Sequence, residues 1–198
     1  LGYYTLELLN AFRQEAAKRG SGVLITALED AGLLRENMVS GAISFDFLRS
    51  IGRSFPNLKN IPLVCLNDPG NPLEEVGTVL TDERAGIRRA LQFLREKGHR
   101  RIGFLSFQDE KASLANERRV RAFTEESGGL AGIEPELPPP TLPVTDAVCA
   151  ILEKRCSALI IAGEGYEGPV LRTLAMLGKR IPEDLSVITY ETPESCFC

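Results

Sequence analysis

Three glycines, Gly163, Gly165 and Gly168, stand in a G-x-G-x-x-G spacing between an apolar run at 158–162 and a stretch of helical periodicity. Glu191 follows at the end of the next apolar run. In that context the glycines would let a backbone turn approach a pyrophosphate while the acid takes a ribose hydroxyl, the chemistry of a dinucleotide-dependent oxidoreductase. Two residues argue against it. Glu164 puts a negative charge where the pyrophosphate would sit, and Pro169 removes a backbone N–H near the helix start. The motif also falls late, leaving too few residues for a second mononucleotide half. The chain is therefore not read as an enzyme and no cofactor is expected, with the NAD-type reading kept as an alternative.

Other reactive side chains are sparse. There is one histidine, His99, and an odd number of cysteines, Cys65, Cys149, Cys156, Cys196 and Cys198. No cysteine spacing of the zinc type occurs, so a metal site has little to be built from. Any nucleophile activated by imidazole would need His99, whose place beside a helix end points to capping instead. Cys65 and Cys149 lie in apolar runs where a thiol acts as a small hydrophobe, which fits a reducing, cytoplasmic compartment.

The elements that must position such groups are legible from periodicity. Asp82 sits where a helix N-cap belongs, Ile87, Ala90, Leu91 and Leu94 share one helical face, and Gly98 closes the helix. Ile102, Gly103, Phe104 and Leu105 then form a continuously apolar run, as a parallel strand covered on both faces does. The expected unit is strand, helix, strand, with a right-handed crossover. Upstream, a helix is expected over 4–19, with Leu6, Leu9 and Ala16 inward and Gly20 ending it. Strands are expected at 23–26, 41–44 and 61–66, a helix at 31–37, and a helix or irregular segment at 45–55. Downstream, helices are expected at 113–126, 146–154 and 166–177, strands at 158–162 and 185–190, and a proline-rich loop over 134–143. The alternation predicts an α/β class with mostly parallel sheets. Similar element order on either side of Leu105 suits two doubly wound subdomains, with a ligand at the carboxyl ends of strands in a cleft between them.

Composition bounds the partners. At 198 residues and 43% hydrophobic content the chain suits one large or two small domains. Acidic and basic residues are interspersed and the net charge is −4, so nucleic acid is not expected as a direct partner. No stretch approaches the roughly 18 apolar residues of a membrane helix, and the start reads as an amphipathic helix rather than a signal peptide. The expectation is a soluble, cytoplasmic protein with no membrane partner.

GHRRIGFL at 98–105, preceded by TDERAG at 81–86, is followed at 158–191 by ALIIAGEGYEGPVLRTLAMLGKRIPEDLSVITYE, with IPED at 181–184 its most distinctive piece. Residues 1–20, IPLVCLND at 61–68 and 119–123 fall into the same register. In order and spacing these pieces resemble, over essentially the whole chain, the effector-binding core of lactose and galactose repressor (LacI/GalR) family transcriptional regulators. The resemblance implies a type I periplasmic-binding-protein-like fold, α/β, with two doubly wound parallel-sheet subdomains at 1–102 and 103–198. These would close on a small-molecule effector, usually a sugar, a sugar phosphate or a purine. Family members reach operator DNA through an N-terminal helix-turn-helix that this chain does not contain, so the chain itself would sense. Against the family pattern it opens on the first helix, without the first strand, and stops before the last crossing segment and final helices.

Carried over position by position, the resemblance places Tyr3 and Tyr4 over the ligand ring, where an aromatic face excludes water. It makes Arg119 the arginine whose forked donors bond the effector. Glu191 stands where the family usually has an aspartate that accepts from ligand hydroxyls or amines, and Asn67 sits at another strand end facing the cleft. Gly163 and Glu164 replace an Asn-Asp pair, Pro169 replaces a glycine, and Ser40 replaces an aspartate before Gly41. Exchanging both cleft aspartates for glutamates moves each carboxylate outward by about a methylene and reshapes the pocket. Closure would alter a homodimer, with Val170, Leu171, Leu174 and Leu177 as candidates for its face. A sugar-binding protein serving a transporter would share the fold, but the free cysteines and GHRRIGFL favour the regulator.

Overall fold

The structure, a computed structural model, describes residues 3–26, 39–45, 61–66, 76–107, 114–163 and 165–190; at 3–5, 45, 76, 114 and 115 it describes the backbone alone. Contacts divide the chain into two units, Leu1–Thr81 and Asp82–Cys198. The sequence reading drew this line between 102 and 103. The helix before that point packs its apolar face on the sheet after it, so it belongs with the second unit.

The first unit holds α1 (Tyr3–Lys18) and a parallel sheet of β1 (Ala42–Phe45), β2 (Leu63–Leu66) and β3 (Val76–Val79), in that order. Gly20 ends α1 from the left-handed region at φ +70°, with Ser21 N–H donating to the Ala16 carbonyl at 2.9 Å. Ala16 is buried and Leu9 half-buried, but Leu6 is exposed. β3 is absent from the sequence reading because VGTV carries a glycine and is exposed from Gly77 onward; only its pairing with β2 defines it. Residues 23–26, expected as a strand, are not part of the described sheet, and Leu24 and Ile25 are more than half exposed. The expected helix at 31–37 and the helix or irregular segment at 45–55 lie outside the described residues, apart from Phe45, which ends β1.

The second unit is layered. Its strands are β4 (Arg101–Ser106), β5 (Glu134–Glu136), β6 (Ala158–Ala162) and β7 (Ser186–Thr189), parallel throughout in the order β5-β4-β6-β7. α2 (Glu83–Glu96) and α3 (Leu114–Gly128) cover one face, α4 (Val144–Glu153) and α5 (Glu167–Met176) the other. Successive strand side chains point to opposite faces. Ile102 and Phe104 therefore meet Ile87, Leu91, Leu94 and Phe123, while Leu105 meets Val148, Ile151, Val170 and Leu174. That two-sided burial is why β4 and β6 read as unbroken apolar runs.

α2 is not the crossover of a strand-helix-strand unit, as its sequence neighbours imply. The strands before it form their own sheet, and the strand it delivers belongs to another. Its caps are as expected: Asp82 Oδ1 accepts from Ala85 N–H at 2.9 Å, and Gly98 sits at φ +92°. His99 caps through its backbone N–H, which donates to the Leu94 carbonyl at 3.0 Å; its ring Nδ1 lies 2.9 Å from Ser157 Oγ. Within the expected proline-rich loop, β5 pairs with β4 at the sheet edge, where Pro135 costs no inner ladder bond.

Gly103 faces α4 so closely that a Cβ would lie 2.6 Å from Ile151 Cδ1 and 3.0 Å from its Cγ2. Gly103→Ala is expected to cost about 2 kcal/mol through overpacking. Ile151→Val, itself worth about 1 kcal/mol, should recover part of that loss in the alanine background. Urea midpoints of the four proteins give the coupling, and plain additivity would mean that the layers relax freely.

Glu126 joins α3 to α2. It accepts from Arg88 Nε at 2.7 Å, from Arg88 Nη2 at 3.0 Å and from Arg84. These bonds, Arg88's first, hold its carboxyl at about 2 against an ordinary 4.5, and the Arg180 side chain brings Asp184 to about 2 from 3.8. A carboxyl more acidic in the folded state stabilises the fold above its unfolded pKa and loses that contribution as pH falls toward the folded one. The melting temperature is expected to drop between about pH 4.5 and 2, and less steeply in Glu126→Gln, as a calorimetric pH series would show.

Candidate ligand-binding site

In a parallel sheet the carboxyl ends of the strands gather the N-termini of the covering helices, and ligands bind there. Phe107 leaves the end of β4 and stacks on the Tyr166 ring, with centroids 4.2 Å apart. Tyr166 is the N-cap residue of α5 and is seated by the glycine motif. A Cβ on Gly163 would lie 3.2 Å from the Tyr166 ring, and Gly165 takes φ +84°, which a side chain would strain. Gly163 thus has a packing role and Gly165 a conformational one, with an aromatic ring lying against the turn.

On the opposite face of the sheet, Tyr190 follows β7 and Arg119 projects from α3. The Arg119 guanidinium lies 4.3 Å from the Tyr190 ring centroid, a cation–π distance. Its Nε donates to Glu83 Oε2 at 2.8 Å, its Nη2 to Glu83 Oε1 at 3.3 Å and its Nη1 to Asn116 Oδ1 at 3.4 Å. Asn116 Nδ2 in turn donates to the Phe107 carbonyl at 3.5 Å, which ties the two aromatic groups together. The Glu83 side chain is 3% exposed and that of Arg119 19%, so this pair is largely out of water. Among the described residues, the buried Tyr190 Oη has no hydrogen-bond partner. Burial pushes that phenol well above its ordinary range. The result is a positioned fork: three of the five guanidinium N–H groups are engaged among the described residues.

Residues 91–196 match the periplasmic binding protein-like domain. The chain belongs to that family. Solved structures share the fold. A LacI family transcriptional regulator from Bifidobacterium animalis subsp. lactis aligns with a TM-score of 0.72 at 21% identity, over 96% of this chain and 74% of that one. A periplasmic binding protein/LacI transcriptional regulator from Alkaliphilus metalliredigens, complexed with D-xylulofuranose, aligns at 0.71 and 18%, over 94% and 72%. The Escherichia coli transcriptional repressor ascG aligns at 0.68 and 17%, over 96% and 74%. At these identities the likeness is one of fold. No curated protein matches the chain in sequence.

Of the positions singled out in the sequence, the structure places the Arg119 side chain in this periplasmic-binding-protein-like domain. Tyr3 and Tyr4 open α1, where only their backbone is described, and Asn67, Glu164 and Glu191 lie outside the described residues. Val170 and Leu174, offered for a dimer face, are fully buried in the second unit's own core; Leu171 is half-buried and Leu177 exposed. Glu83, Phe107, Asn116, Tyr166 and Tyr190 escaped the sequence reading. Glu83 passes for an ordinary acid in a helix's first turn, and Phe107 and Tyr190 look like the last residues of strands. Cys65 and Cys156 are buried thiols and Cys149 a half-buried one; burial pushes Cys156 up to about 11. Among the described residues no group of three His, Cys, Asp or Glu side chains could hold a metal ion, and no helix is long and apolar enough to cross a membrane.

Proposed function

We propose that this domain is the small-molecule sensor of a LacI/GalR-type transcriptional regulator, and that it takes its effector against Arg119 and Tyr190. One observation carries the reading. At the carboxyl edge of a parallel sheet, an arginine is clamped by Glu83, laid on an aromatic face and left with two donors to offer. Such a group bonds hydroxyls with its free N–H groups, beside the half-buried Tyr190 ring. Proteins that share the fold support a sugar as the class of ligand: one holds D-xylulofuranose and a second cellobiose.

Tyr3, Tyr4, Asn67, Glu164 and Glu191 are proposed, from the family pattern, to complete the contacts. Effector binding is proposed to draw the two lobes together and to change the geometry of a cytoplasmic homodimer. That would alter how separate helix-turn-helix heads fit their half-sites. The coupling requires only that the effector bind one dimer geometry more tightly than the other.

A thermal-shift series with pentoses, hexoses and disaccharides tests the reading. At least one sugar is expected to stabilise the protein saturably, by about 2.7 kcal/mol at a hundred times its Kd. At the same sugar concentration the shift should fall below about 1 kcal/mol in Arg119→Ala. A flat response to every sugar would overturn the assignment.

A further inference from the structure

We infer that the site is selective for uncharged, hydroxyl-bearing ligands over their phosphorylated or carboxylated counterparts, and that Glu83 is the residue that decides this. The inference rests on the sensor site proposed at Arg119 and specifies its ligand class.

The first ground is the ion pair. An arginine that recognises a phosphate or carboxylate does so with a free, forked face. Here that face is already spent on Glu83, through Nε at 2.8 Å and Nη2 at 3.3 Å. Both partners are largely withdrawn from water, so mobile ions screen them little. An anion arriving at Arg119 meets a neutralised pair and must lie close to the Glu83 carboxylate. A hydroxyl group meets two N–H donors and incurs no such repulsion.

The second ground reaches beyond this pair. In this architecture the N-termini of the covering helices sit at the carboxyl edge and are the natural anion sites of the fold. Each of the four helices of the second unit carries its own acid in the first turn: Glu83 in α2, Glu117 in α3, Asp146 in α4 and Glu167 in α5. In α2 the Asp82 carboxylate also takes the Ala85 N–H. In α5, Glu167 is buried and Pro169 offers no N–H. Each positive helix end that a phosphate would seek thus already has a carboxylate in its first turn. What remains beside Arg119 is the half-buried Tyr190 ring with a few polar groups, which suits the hydroxyls of a neutral polyol.

Calorimetric titration of the whole chain with matched pairs tests this: D-ribose against D-ribose 5-phosphate, D-glucose against D-glucose 6-phosphate, and D-xylulose against D-xylulose 5-phosphate. Whichever sugar binds is expected to exceed its ester by at least about tenfold, the scale set by bringing like charges together in a partly buried site. Glu83→Gln keeps the shape and removes the charge, and should shrink that ratio to less than about threefold. Inorganic phosphate as a competitor on the wild-type protein gives a readout that needs no folded variant: it should fail to displace the bound sugar. An ester binding as tightly as its parent, or phosphate displacing it, would overturn the selectivity while leaving the sensor reading intact. Full discrimination retained in a folded Glu83→Gln would remove Glu83 from its role. No binding by any member of the pairs would overturn the inference together with the site on which it stands.

Discussion

Arg119→Ala is expected to lower the stability of the second unit by about 3 kcal/mol and to weaken binding of a neutral sugar by about 30-fold or more. The two effects have different origins. Stability is lost because truncation leaves the Glu83 carboxylate, 3% exposed, without the guanidinium that compensates its charge. Binding is lost because the two remaining donors go with the side chain. A second protein separates them. Changing both partners, Glu83→Leu with Arg119→Met, removes both charges and fills similar volume, and should recover most of the stability. It restores no donor, so the affinity should stay low. Chemical denaturation and calorimetry on the two single variants, the pair and the parent complete the cycle. A stability loss below about 1 kcal/mol in Arg119→Ala would show that water compensates Glu83 as well as arginine does.

The other large effect should come from Phe104→Ala, expected to cost about 4 kcal/mol. Phe104 is fully buried between β4 and the α2–α3 layer, with its ring stacked 4.6 Å from that of Phe123. Its neighbours Leu91 and Leu94 of α2, Ile102 of β4 and Ile160 of β6 are also buried, so the gap cannot close without moving a helix on the sheet. Phe104→Leu, which keeps most of the volume, should cost under half as much. The urea midpoint should shift while the slope stays constant. A changed slope would mean that part of the unit had come apart in the folded state. Because β4 carries Phe107 to the site, the alanine variant should also weaken ligand binding, and the leucine variant much less.

Much of the second unit was legible from residue order because its elements obey local rules. α2 begins at a side-chain cap, ends at a glycine with positive φ, and presents an apolar stripe in between. β6 and residues 102–105 of β4 are apolar throughout because helices cover both faces. Where local signals are weak, the reading failed. β3 is exposed and holds a glycine, and β5 is Glu-Pro-Glu; each is a strand only because a neighbour supplies its ladder. The partition of the chain was missed for a related reason. α2 follows the first sheet in sequence, yet its apolar face matches the second.

The site divides in the same way. Arg119 stood out through the family pattern, but its partners did not. Glu83 lies 36 residues away and Tyr190 comes from the last described strand end, and no spacing rule links such positions. The sequence by itself determined the α/β class and the order of most elements, and the family resemblance singled out Arg119 as a candidate. Only the tertiary structure decided that this arginine is clamped by a buried glutamate and rests on a tyrosine ring. Caps, stripes and buried runs are set by neighbours within a turn or two along the chain. An ion pair between two helices and a ring stacked across a sheet exist only once packing has brought distant segments to within a few ångströms.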